Sequence, residues 1–226
     1  MDLILKKTSL KQVISLVKKD LLLEWRLQHT FYGILLYTAG TIFILFLSMS
    51  EPEGQVWNGL FWITILFMCV QTVAKSFLQE NRARLLYYQT LVSPIQFLIA
   101  KLIYNTLLMV MMCLLTLILF SFFMGASYVH FGQFLWITFS GGISLTMLFT
   151  LLSAITARAN QHAAMMAILG FPLMVPQLLL LLRMSKTAFG EVFQQNVFLE
   201  MNLLLFALDG LIIALSFILF PFLWKD

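Results

Sequence analysis

This chain of 226 residues is 61% hydrophobic and only 11% charged, with 22 Phe and a formal net charge of +4. A water-soluble domain of that length needs far more polar surface to cover its core, so the composition excludes a soluble enzyme and places the function in or across a bilayer. The basic residues fall at the ends of apolar runs rather than in one interleaved patch, a pattern of topology control and not of nucleic-acid binding.

Residues 1–28 read as an amphipathic helix lying on the cytoplasmic face. Leu10, Val13, Ile14, Val17 and Leu21 recur at spacings of three and four, Lys7, Lys11 and Lys18 occupy another face, and Trp25 suits the headgroup level. The plainer alternative is a basic flank that only orients the first span. This opening carries six Lys/Arg but lacks a compact apolar core followed by a small-residue cleavage site, so it does not read as a signal peptide.

Six apolar runs follow, at 31–49, 59–74, 102–124, 134–157, 163–182 and 203–224. About 20 apolar residues cross the hydrocarbon core as a helix, so the expected architecture is all-α, a single six-span membrane domain over 1–226. Lys and Arg accumulate on the cytoplasmic side. Twelve of the fourteen fall on one side, namely Lys6, Lys7, Lys11, Lys18, Lys19, Arg26, Lys75, Arg82, Arg84, Lys101, Arg158 and Lys225; Arg183 and Lys186 fall on the other. Both termini are therefore expected in the cytoplasm. The second run is short and could extend toward Phe77-Leu78 with Lys75 snorkelling.

The connector at 75–96 contains no Gly and has a helical pattern. Glu80 and Arg84 can pair four residues apart, and Phe77, Arg84, Leu85, Tyr88 and Leu91 or Val92 form an apolar, aromatic stripe. Ser93-Pro94 is expected to stop the helix, because proline disfavours helical geometry in the residue before it. Such a helix is either a docking surface or an interfacial helix packed on its own spans; spacing alone leaves both open.

Ser140, Gly141, Gly142 and Ser144 on the fourth run, with Ala163, Ala167 and Gly170 on the fifth, suit close helix contact. Pro172 and Pro176 interrupt the fifth run and can kink it. The stretch 183–202 is read as an outer-face loop, too polar to span yet rich in Phe and Val, either interfacial or re-entrant.

Asp209 is the one acid well inside a span. An acid at the centre of a helix costs about 2.5–3.5 kcal/mol on insertion scales, which leaves a gate or proton site and a structural hydrogen-bonding partner as its two readings. His130, in the outer loop beside Tyr128 and Phe131, is the candidate haem contact, since imidazole ligates haem iron; a lone loop histidine is the plainer reading. His29 and His162 read as interfacial. No His/Glu spacing points to a metal site, no G-x-x-x-x-G-K-[ST] to ATP phosphates and no C-x-x-C-H to covalent haem. Cys69 and Cys113 lie inside expected spans, and Trp25, Trp57, Trp62, Trp136 and Trp224 are scattered, which argues against an aromatic haem platform. No autonomous enzyme activity, bound cofactor or metal is expected.

The order of these elements resembles the membrane subunit of ABC-2 type exporters. Val17-Lys18-Lys19-Asp20-Leu21-Leu22-Leu23-Glu24-Trp25-Arg26 before the first span, and Phe77-Leu78-Gln79-Glu80 leading to Leu91-Val92-Ser93-Pro94, make it similar to the cytochrome c maturation protein B family, the haem exporter permeases. Where many members carry Gly-x-Leu-Glu, this chain reads Leu85-Leu86-Tyr87-Tyr88. The resemblance implies a six-helix permease of the bacterial inner membrane and, as its partners, a separate ABC ATPase, a haem-handling membrane protein, a haem chaperone and a second copy of the chain. It makes the connector the coupling helix, with Glu80, Arg82, Arg84, Tyr87, Tyr88, Ser93 and Pro94 as candidate ATPase-coupling residues, and haem the handled ligand. The competing readings are a generic ABC-2 exporter of lipid, drug or polysaccharide, a secondary transporter, and a non-transporting assembly scaffold.

Overall fold

The computed structural model describes residues 2–26, 28–49, 52–78, 88, 91–158, 163–190 and 195–225. Among them the chain forms seven long helices and no strand: α1 (Asp2–Arg26), α2 (Gln28–Ser48), α3 (Gly54–Leu78), α4 (Pro94–Met124), α5 (Phe131–Arg158), α6 (Ala163–Phe189) and α7 (Gln195–Lys225). An apolar chain in lipid must satisfy its backbone polar groups internally, and helices do so within one segment. Five helices are long and apolar enough in their described residues to cross a membrane; α6 is not among them. Pro172, Pro176, Gln177, Arg183 and Lys186 dilute the apolarity of the part whose side chains are described, and the apolar run 163–182 of the sequence begins before that part.

Helices α2–α7 alternate in direction. The start of α3 meets the ends of α4 and α6 and the start of α5 through Trp57, which contacts Phe120, Phe189 and Phe134. At the opposite end Val13 and Leu16 of α1 cluster with Phe97, Leu98 and Ala100 of α4, Ala154 of α5 and Phe220 of α7. The centre is α5, packed against α3, α4, α6 and α7. Its apolar window is 72% buried, against 17% for that of α2 and 28% for that of α7, which form the periphery.

Several helices outrun the apolar windows that mark them in the sequence. α3 reaches Leu78, and α4 starts at Pro94 rather than near residue 102. Ser93-Pro94 therefore does more than end the connector, because it opens the next helix. Ser93 is extended at φ −70°, ψ 151°, its hydroxyl accepts from the Gln96 amide, and Gln96 Oε1 accepts from the Ser93 amide at 3.1 Å. Proline suits the first helical turn, where an amide hydrogen has no partner. Gly125, at φ 73°, closes the far end of α4 in a region that glycine enters without strain. Within the expected loop at 183–202, α6 continues to Phe189 and α7 begins at Gln195, since neither Gly nor Pro lies between Arg183 and Phe189.

α1 is one continuous helix, but its apolar stripe divides. Val13 and Leu16 are buried against the bundle, while Leu10, Ile14, Leu21, Leu22 and Trp25 face outward. Gly141 and Gly142 of α5 and Gly170 of α6 serve close packing, while the side chains of Ala163 and Ala167 lie outside the described residues. A Cβ on Gly141 would strike the Trp62 ring and sit 2.6 Å from Leu181 Cδ2; one on Gly142 would lie 2.6 Å from Cys113 Sγ, and one on Gly170 2.8 Å from Leu152 Cδ1. Overpacking of this kind costs about 1–3 kcal/mol. Gly141→Val is therefore expected to lower the midpoint of thermal unfolding in detergent, whereas Gly210→Val, at a position where a Cβ meets nothing within 4 Å, leaves it unchanged.

Candidate functional site

Polar side chains gather at two depths. In the interior, Ser144 of α5 donates to Asp209 Oδ1 of α7 at 2.5 Å, and Gln177 Nε2 of α6 donates to Ser144 Oγ at 3.0 Å. All three are buried. Ser144 lies one turn beyond Gly141, so the contact that brings α6 onto α5 also sets the hydroxyl between its two partners. The result is a donor-to-acceptor run across three helices ending on one carboxyl group, the geometry of an interhelical tie. Similar ties join Asn105 Nδ2 to Thr150 Oγ1 at 3.0 Å, Asn58 Nδ2 to the Leu182 carbonyl at 3.1 Å and Trp62 Nε1 to Ser185 Oγ at 2.7 Å.

The second group lies where α1 crosses the start of α4. Lys101 Nζ is 3.0 Å from Asp20 Oδ2, and Lys19 Nζ is 2.9 Å from Asp20 Oδ1. Lys19 also donates to Tyr88 Oη at 3.0 Å, and Tyr104 Oη donates to Glu24 Oε2 at 3.0 Å. Lys101 is 3% exposed. Its sequence reading as a cytoplasmic topology charge misses this: it sits inside α4, charge-paired with α1.

Of the candidate coupling residues, Glu80, Arg82, Arg84 and Tyr87 lie outside the described residues. Tyr88 is half-buried, bonded to Lys19, with its ring 5.8 Å from that of Phe97. Ser93 and Pro94 form the start of α4. His130 is half-buried rather than a free loop residue, its backbone amide donating to the Ala188 carbonyl at 3.0 Å. His162 is outside the described residues, and no cluster of three or more His, Cys, Asp or Glu fit for a metal occurs among the described ones.

The tryptophans are less scattered than the sequence implies. Trp57 and Trp62 of α3 join Phe61, Phe120, Tyr128, Phe134 and Phe189 in one aromatic cluster. Trp57 is fully buried, with its Nε1 donating to the Gly125 carbonyl at 2.9 Å, so the middle of the cluster is packed core. A cleft beside it, lined by Glu53, Gln55, Lys186 and Phe189, opens at this end of the bundle.

Sequence reasoning finds Asp209 but not its partners, and misses Asp20 with Lys101. The available signals were a single amide after two prolines, Gln177, and a lysine inside the apolar string Phe97-Leu98-Ile99-Ala100-Lys101-Leu102-Ile103. Interhelical hydrogen bonds in membranes contribute about 0.6 kcal/mol on average, up to about 1.7. Ser144→Ala, which strands both Gln177 and Asp209, is expected to reach the upper part of that range in unfolding titrations in mixed micelles, while Asp209→Asn, which keeps an acceptor oxygen, stays near the unsubstituted protein.

No curated protein and no solved structure matches the chain. A family model described as CcmB protein matches residues 11–222, a span running from the bundle-facing part of α1, through both polar groups, into the last turns of α7. On that match over nearly the whole length, this multi-pass membrane protein belongs to the CcmB family.

Proposed function

We propose that the chain is the membrane-spanning permease subunit of an ABC transporter acting in haem delivery for cytochrome c maturation, driven by a separate ATPase subunit. Family membership over 11–222 carries this reading. The six alternating helices support six crossings, with both termini and the 75–96 connector in the cytoplasm of a bacterial inner-membrane protein. α6 would complete the count: 27 residues at 1.5 Å per residue reach about 40 Å. α1 lies in the cytoplasmic interface, its outward Leu10, Ile14, Leu22 and Trp25 in the headgroup and acyl boundary.

The connector seats on the ATPase through Glu80, Arg82, Arg84 and Tyr87, with Tyr88 turned toward α1. Closure of the ATPase on ATP then biases the helices between two arrangements, through contacts that differ between them. A second copy of the chain completes the complex, and a haem-handling membrane protein and haem chaperone receive its output on the outer face. ATP hydrolysis resides in the partner chain.

Two measurements test this reading. Replacing Arg82, Arg84 and Tyr87 together with Ala is expected to lower ATPase co-purification about tenfold or more, the loss that accompanies ~1.4 kcal/mol of interface energy, with membrane levels of the chain unchanged; undiminished co-purification counts against the seat. Deleting the chain in its native host is expected to abolish covalent haem staining of c-type cytochromes while their apoproteins are still exported. Normal staining would overturn the assignment to haem delivery.

A further inference from the structure

Asp20 and Lys101 are 6% and 3% exposed, and a buried ion pair is weak evidence of stability because desolvating two charges costs several kcal/mol per ion. Their placement points to another role. Asp20 and Glu24 are one turn apart on α1, and their partners Lys101 and Tyr104 are one turn apart on α4. Two polar contacts at matching spacing fix the register of α1 along α4. Rolling or sliding one helix past the other would separate the charges with no solvent to receive them.

The third member of the group connects this register to the connector. Lys19 holds Asp20 Oδ1 at 2.9 Å and Tyr88 Oη at 3.0 Å, with its ammonium 4.6 Å from the Tyr88 ring centre. The connector end is therefore attached to α4 at more than one point. One attachment is covalent, through the Ser93 cap and Pro94; a second is the packing of Tyr88 on Phe97; the charged one runs from Tyr88 through Lys19 and Asp20 to Lys101. A segment held at one point can swing, whereas a segment held at two carries its support with it.

We infer that Lys19, Asp20 and Lys101 are positioning residues that convert displacement of the connector into movement of α4, with α1 as the strut between them. This rests on the connector being the ATPase seat. The chain–ATPase complex, reconstituted in nanodiscs, carries spin labels on cysteines at Ile118 of α4 and Leu203 of α7, both outward-facing positions. The unsubstituted complex is expected to change its label distance on ATP addition. In the double variant Asp20→Asn with Lys101→Met, which leaves no bare buried ion, ATPase co-purification and ATP hydrolysis are expected to persist while the population that shifts on ATP falls about threefold or more. Lys19→Met, which severs the strut from Tyr88 without emptying the buried pair's site, is expected to do the same and carries the test if the double variant fails to reach the membrane. A full ATP-driven shift in either assembled variant overturns the strut and leaves the permease reading intact; no shift in the unsubstituted complex, or no ATPase bound to it, overturns both.

Discussion

Gly141 and Gly142 leave the backbone of α5 bare on the faces where Trp62, Leu181 and Cys113 press against it. Between helices in lipid there is no hydrophobic gain to draw on, since acyl chains are as apolar as leucine; association rests on close packing and on polar pairs. Close approach at these two glycines supplies the first and sets up the second. Once α3, α4 and α6 have closed on α5, Ser144 lies within reach of Gln177 and Thr150 within reach of Asn105, and α7 brings Asp209 to the same serine. The polar ties are thus consequences of the glycine contact as well as supports for it.

The two ends of the bundle are built from different materials. At the end holding the starts of α3 and α5, Trp57 touches five aromatic rings and closes on the carbonyl of the Gly125 turn. Ring packing of this kind is dry, short-ranged and geometrically fixed. At the end holding α1, the contacts are charge pairs and hydrogen bonds between side chains several bonds long, with only a small apolar cluster behind them.

The all-helical fold was legible in the sequence because apolar runs of spanning length leave the backbone few other choices. Helix ends were not: Ser93-Pro94 reads equally as a stop and as a start, and only the reciprocal bonds between Ser93 and Gln96 decide it. The polar residues divide in the same way. Asp209 stands out because it is an acid in an apolar run, but its partners are a serine that looks like a small packing residue and an amide behind two prolines, brought together by tertiary contact. Trp57 and Trp62 share one aromatic cluster because they lie with Phe61 on one helix, while Phe120, Phe134 and Phe189 come from three others.

Lys101 shows how one residue can satisfy two constraints of different origin. Charge counting treats it as a topology signal, and its pairing with Asp20 leaves the pair neutral in the folded chain. Insertion precedes that pairing, so the charge still acts on topology when it is bare. The orientation does not depend on it either, because the other eleven basic residues of the proposed cytoplasmic side outnumber Arg183 and Lys186 without it. A lysine that orientation does not require, buried in an apolar helix where a leucine would insert more easily, is explained by what it holds: the register of α1 against α4, at the point where the connector enters the bundle.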